Sequence, residues 1–304
     1  MQDAAVWKMK GQNLTDESKL NLHTDAPIAV YDSGLGGLTV VRAIMRLMPG
    51  ESIVYFGDTA RVPYGNKSAR TVGLFAQQCL RFLGRLNPKL IVVACNTVSA
   101  TAMPLLLREF QIPLIGVLEP GATAAVRIAR HRIPTGDCTI GLIATEATVA
   151  SRAYQMAIGQ IDRQVNVAAR ACPLLVPLIE EGRSGDSPVV KMVLEEYVEP
   201  LRQISPAALI MGCTHYPLFS DAIAAAISPD TMLVDSAAET AEVVRARLKS
   251  LGLLRADSFG KLACYVTDQG QRFEAIASRF LGKPVGQPVW VDPEIIETST
   301  VESA

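Results

Sequence analysis

The sequence predicts an α/β protein built from two pseudo-symmetric domains, each a mainly parallel sheet flanked by helices, with the active site in the cleft between them. Three observations carry this expectation. Short aliphatic runs lack polar alternation, which marks strands buried on both faces. Longer segments with helical apolar spacing separate those runs, and strands that alternate with helices form parallel sheets. Two strand–helix units also share one plan. LIVVACNTVSA and ALIMGCTHYPL each pass from an aliphatic strand through a small residue to a cysteine, with a threonine within two residues, and the cysteines, Cys95 and Cys213, lie 118 residues apart.

Taken in chain order, residues 1–26 are polar, lack a sustained period and predict a loose extension. From Pro27 onward strands are expected at 27–31 (PIAVY), 52–56 (SIVYF), 89–94 (KLIVVA), 113–118 (PLIGVL), 138–144 (CTIGLIA), 207–211 (AALIM), 231–234 (TMLV) and 262–266 (LACYV). Their aliphatic and β-branched content favours the pleated, buried conformation. Helical spacing of apolar residues places helices at 38–48, 69–86, 97–110, 147–158, 188–204 and 236–251. No compositional linker divides the chain, so the duplicated cysteine unit is the clue to two halves.

Bulk properties narrow the function. With 304 residues, 49% hydrophobic and 19% charged, the chain has the composition of a globular protein with a large core and length enough for two domains. A formal net charge of -1 and the absence of a Lys/Arg run argue against a nucleic-acid partner, so the expected ligand is a small molecule. The N-terminal stretch MQDAAVWKMKGQNLTDESKL has no apolar core of a signal peptide, and no segment offers eighteen uninterrupted apolar residues, so a cytoplasmic protein without a membrane span is expected. Six cysteines without a CxxC pair read as reduced thiols, and three histidines exclude a His-rich metal site.

Ligands of open parallel sheets bind beyond the carboxyl ends of the strands, where helix N-termini present unpaired N–H groups. Cys95 and Cys213 both fall there. Such a place lowers a thiol pKa from about 8.5 and offers a seat for a carboxylate. Asn96, Thr97 and Thr214 add short donors at the same points. A lone buried cysteine is commonly a small hydrophobe; two of them, each followed by polar capping residues, point instead to chemistry. Cys79, Cys138, Cys172 and Cys264 lack that context and read as structural.

Three further stretches bear on the site. In VYDSGLGGLTVV, Gly34, Gly36 and Gly37 follow a strand and Asp58 lies 22 residues beyond Gly36, which together suggest a dinucleotide site as an alternative. Against it, the spacing is GxGG rather than GxGxxG, and Asp32 would repel a pyrophosphate. Asp32 and Ser33 suit an ammonium group better. In GDTARVPYG, Tyr64 and Gly65 offer a hydroxyl and a backbone N–H, although Pro and Gly also mark an ordinary turn. His215, two residues after Cys213, suits an acid–base or electrostatic role, or simple packing. A Cys/His hydrolase would leave the second cysteine without a task.

DSGLGGLTV, GDTARVPYG, VVACNT, TEAT and GCTHYPL, in that order, resemble the motifs of the cofactor-independent glutamate racemases, and LEPGA at 118–122 and ACPLLVPL at 171–178 fit as well. The similarity extends from about Ile28 to Leu281. It implies interconversion of L- and D-glutamate to supply peptidoglycan synthesis, without pyridoxal phosphate, metal or nucleotide, by a two-base mechanism. By motif position Cys95 and Cys213 are the two thiols. Asp32 with Ser33, Tyr64 with Gly65, Asn96 with Thr97, and Thr214 with His215 are the substrate contacts. Asp32 and His215 would also bias the protonation of the neighbouring thiols, and Asp58 and Glu146 match acidic positions tied to the proton chemistry. The implied domains are 27–118 plus 236–292, with 119–235 inserted, an extension at 1–26 and a tail at 293–304. A homodimer is expected. Aspartate is the competing substrate, since two thiols serve either amino acid.

Overall fold

The computed structural model describes residues 22–255, 259–268 and 273–297. The chain opens with β1 (Ile28–Asp32), α1 (Leu38–Leu47), β2 (Ile53–Gly57), α2 (Ala69–Gly84), β3 (Leu90–Val93), α3 (Asn96–Thr101), α4 (Met103–Glu109) and β4 (Leu114–Gly116). Next come α5 (Leu118–Arg132), β5 (Cys138–Ala144), α6 (Glu146–Ser151), α7 (Ala153–Ile161), β6 (Val165–Ala171), α8 (Leu175–Glu180), α9 (Pro188–Ile204), β7 (Ala208–Gly212), α10 (Ser220–Ala226) and β8 (Met232–Val234). The chain then runs through α11 (Ser236–Ser250), β9 (Leu262–Val266), α12 (Phe273–Leu281), β10 (Val289–Trp290) and α13 (Pro293–Glu297).

The strands form two sheets, ordered β10-β9-β2-β1-β3-β4 and β6-β5-β7-β8, and every pairing is parallel. The first sheet therefore draws strands from both ends of the chain, and the second lies wholly within the middle. Alternate residues of β1 enter different cores: Ile28 and Val30 join one apolar cluster, Ala29 and Tyr31 the other. In the second sheet Leu209 and Met211 likewise face away from Ala208 and Ile210. Helices cover both faces, which is why these strands carry no polar alternation. The helix α11 packs against both α1 and α5 and so lies across the two halves. Among the described residues no helix is long and apolar enough to cross a membrane.

All eight expected strands are present, and β6 and β10 are additional. Both are edge strands, and most of β6 is only partly buried, so Asn166 and Arg170 interrupt the aliphatic signal. Two expected helices are each broken in two. The segment 97–110 divides at Ala102 (φ −121°, ψ −13°), two residues ahead of Pro104, which has no N–H to donate back into α3 and sits in the first turn of α4. The segment 147–158 divides at Arg152, which adopts the left-handed conformation at φ 55°. The helix α5 was not among the expected segments. Its Pro120 sits in the first turn, where a missing N–H is tolerated.

The expected extension lies outside the described residues as far as 21. From Thr24 it is anchored, because Lys89 Nζ donates to the carbonyls of Thr24 (2.7 Å) and Leu253 (2.9 Å). The same ammonium lies 2.6 Å from Glu51 Oε2, with both side chains fully buried. That contact is close but poorly angled for a hydrogen bond, so its character is that of an ion pair; Glu51 Oε1 accepts from the Arg255 N–H at 2.8 Å. At the other end, α13 packs on α2 and buries Ile296; residues 298–304 of the expected tail lie outside the described residues.

Candidate active site

The carboxyl ends of β1, β3, β5 and β7 converge on a cavity of about 180 Å³ between the two sheets, a volume suited to one small molecule rather than a dinucleotide. Cys95 enters it from the end of β3 and Cys213 from the end of β7. The two thiols thus reach one cavity from opposite sheets. All of the residues expected at the site line this cavity except Asp32 and Asp58.

Cys95 caps α3 and its sulfur lies 3.4 Å from Ser33 Oγ. The sequence predicts that the helix start acidifies this thiol; the structure shows the reverse. Burial, reinforced by the carboxylate of Asp32, pushes Cys95 up to about 12. Asp32 is itself fully buried, with Oδ2 accepting from the Gly34 N–H at 3.1 Å. Burial raises its carboxyl above the ordinary range, and the nearby His215 opposes that rise. Ser33, not Asp32, forms the cavity wall.

Around Cys213 the arrangement is different. The segment after it is a 3-10 turn, Tyr216–Phe219, rather than an α-helix, so the expected second helix start is absent there; Pro217 lies at the start of that turn. Polarisation comes instead from His215, whose Nδ1 lies 3.8 Å from Cys213 Sγ and whose Nε2 lies 3.0 Å from Glu180 Oε1. Burial alone would lower the imidazole pKa, but the hydrogen bonds to Cys213 and Glu180 outweigh it and raise the group to about 10. His215 is therefore an imidazolium at neutral pH, and it places a positive charge 3.8 Å from the Cys213 sulfur. The ring of Phe280, from α12, packs edge-on against it with centroids 5.1 Å apart. Arg279, next in sequence, donates to the carbonyls of Ile179 (3.4 Å) and Arg183 (3.1 Å) on either side of Glu180.

Glu180 is the residue that reading the sequence missed. It follows closely on the ACPLLVPL stretch, and with Val176 and Pro177 it forms the cavity face of α8. An acid four residues beyond Val176 on a short apolar helix is the only local signal. Thr145 was also missed. Its hydroxyl lies 3.0 Å from Thr97 Oγ1 and 2.9 Å from Thr148 Oγ1, joining the two halves at the cavity rim, where Glu146 begins α6.

Asp58 is tied up away from the cavity. Its Oδ2 accepts from the Tyr64 hydroxyl and from Arg61 Nε (2.7 Å), and its Oδ1 accepts from Thr267 Oγ1 (3.0 Å). These bonds tie the 58–65 loop to the carboxylate. Tyr64 lines the cavity, and its hydroxyl donates to Asp58 and accepts from the Tyr31 hydroxyl at 3.3 Å.

The glycines of DSGLGG serve close approach. A Cβ on Gly36 would stand 2.3 Å from Thr214 Oγ1 and 2.6 Å from His215 Nδ1, and one on Gly37 would stand 2.6 Å from Asp32 Cβ. Thr214 and His215 thus stand directly against Gly36, which argues against a dinucleotide on this loop. Gly65 makes a similar approach to Thr145, where its carbonyl accepts from the Ala147 N–H at 2.9 Å.

The known proteins similar to this chain are racemases. The family model described as Asp/Glu/Hydantoin racemase matches residues 37–244. The glutamate racemase of Geobacter metallireducens is 43% identical over 268 residues, covering 88% of this chain and 97% of that protein. Among solved structures, glutamate racemase from Francisella tularensis in complex with D-glutamate superposes with a TM-score of 0.82 at 35% identity, covering 88% of this chain and 98% of that one. Glutamate racemase from Thermus thermophilus in complex with beta-chloro-D-alanine gives 0.77 at 44% identity, covering 90% and 99%.

Proposed function

The chain belongs to the Asp/Glu/hydantoin racemase family, as one of its glutamate racemases, and from that premise we propose that it interconverts L- and D-glutamate by a two-base mechanism run by Cys95 and Cys213. The observation that carries this reading is the delivery of two thiols to one small cavity from two different sheets. Racemisation needs a base on one face of the α-carbon and an acid on the other. A thiolate removes the proton, a thiol returns one, and the roles exchange in the reverse reaction. Because the enantiomers have equal free energy in water, the equilibrium constant is one.

The surroundings of the two sulfurs differ. Cys95 has its pKa pushed up to about 12, whereas Cys213 has the imidazolium of His215 3.8 Å from its sulfur. Glu180 holds that imidazolium in place and keeps it charged. As the α-carbon loses its proton, negative charge grows on the substrate carboxylate toward an enediolate, with donors on Asn96, Thr97 and Thr214 placed to stabilise it. Asp32 sets the state of Cys95 from behind the wall, and Glu146 faces the cavity from the start of α6. Supply of D-glutamate for peptidoglycan synthesis, in the cytoplasm and by a homodimer, belongs to the same proposal and rests on the family.

The test is a chiral assay of purified protein with L- and D-glutamate and L- and D-aspartate, without added cofactor. Glutamate of either hand should approach an equal mixture. Faster racemisation of aspartate, or none of either, would overturn the reading.

A pH dependence follows from His215. Its folded pKa of about 10 exceeds the ordinary 6.5, so its protonated form stabilises the fold. That contribution is complete below 6.5 and is lost as pH rises through about 10. Activity in the direction that begins at Cys213 should fall over the same upper range. In His215→Asn that limb should vanish, and kcat should drop more in one direction than in the other. An unchanged limb in the variant would assign it to another group. The Haldane relation fixes the ratio of the two kcat/KM values throughout.

A further inference from the structure

The amide of Asn96 has two unlike ends, and only one suits an anionic substrate. Its Nδ2 donates and its Oδ1 accepts. Asn96 lines the cavity and is 97% buried, with 3% of its surface exposed. Its Oδ1 accepts a hydrogen bond from the Tyr154 hydroxyl at 2.7 Å, and its Nδ2 is buried without a partner. A buried NH2 left unpaired is costly, so the orientation is one that awaits an acceptor. Tyr154, on α7, is fully buried and does not line the cavity. Among the described residues Asn96 Oδ1 is the acceptor its hydroxyl reaches. Burial also raises the phenol's pKa, with Glu119 adding to the rise, so the group remains a neutral donor.

Building on the glutamate racemase reading, we propose that Tyr154 is a positioning residue for racemisation, which by donating to Asn96 Oδ1 aims the Nδ2 donors at the substrate α-carboxylate. With the amide turned over, the carbonyl oxygen would face the carboxylate and repel it as charge grows there. Tyr154 also belongs to the half of the molecule opposite Asn96, so the donor is aimed only when the two halves are together. Stabilisation of the enediolate is thereby coupled to closure of the cleft.

Tyr154→Phe deletes one oxygen and keeps the ring in its packed place. It should lower kcat by about 10- to 100-fold, equally in both directions, since a fixed donor to a developing oxyanion is worth up to about 10²–10³. KM and the thermal midpoint should change little. A double-mutant cycle separates positioning from packing. In an Asn96→Ala background the same Tyr154→Phe change should alter kcat less than about twofold, whereas a packing defect would cost the same factor in both backgrounds. Unchanged kcat in Tyr154→Phe, or an equal loss in the two backgrounds, would overturn the inference. Failure of the wild-type protein to racemise glutamate would instead overturn the reading beneath it.

Discussion

Replacing Cys95 by alanine should abolish racemisation, and so should replacing Cys213. Each variant is expected to lose about 10⁴-fold or more in kcat in both directions, the upper end of what one positioned acid or base contributes. The loss is bidirectional because each sulfur acts in every turnover, as base in one direction and acid in the other. Cys79, Cys138, Cys172 and Cys264 do not line the cavity and cannot substitute. The two variants should still differ from each other. With a substrate that carries a leaving group on Cβ, proton removal from one face suffices for elimination, so each variant retains reaction with only one enantiomer. Full racemase turnover in either variant, or elimination of both enantiomers by one of them, would show that a single thiol serves both faces.

The second large effect concerns stability. Lys89→Met should destabilise the fold by about 3–5 kcal/mol, because it leaves Glu51 charged, buried and without its cation. It also frees the carbonyls of Thr24 and Leu253, which that ammonium ties together from the start of the described chain and the segment after α11. The double variant Lys89→Met/Glu51→Leu should recover much of the loss, since replacing a buried pair with apolar groups of similar size is often near neutral. Urea unfolding measures both, with an unchanged m-value indicating that stability alone has moved. If the single variant unfolds at the wild-type midpoint, the ion pair contributes nothing to the fold.

Much of the site was legible because strand ends are. An aliphatic run that stops at a cysteine and passes into polar capping residues announces where a parallel sheet presents chemistry, and both thiols lie there in the structure. Contacts made across the fold leave no such trace. Gly36 and Gly37 read as a turn for phosphate, but what excludes a side chain at Gly36 is Thr214 and His215, far along the chain. Asp58 has the spacing of a ligand-binding acid, yet spacing along a chain does not say on which side of the backbone a carboxylate will point. It points to Arg61, Tyr64 and Thr267. The pKa of Cys95 shows the same limit, since a helix start is visible in sequence and the depth of burial that outweighs it is not. Glu180 becomes meaningful only when α8 brings it to His215. The breaks at Ala102 and Arg152 preserve helical apolar spacing on either side, so periodicity alone passed over them.

The central claim, that two sulfurs address one carbon from opposite sides, is tested most directly by a crystal structure of this protein with D-glutamate bound. The account predicts Cys95 Sγ and Cys213 Sγ on opposite faces of the α-carbon, each about 3.5 Å from it, the separation of reacting atoms poised for attack. Both sulfurs on one face, or either one withdrawn from the substrate, would contradict it.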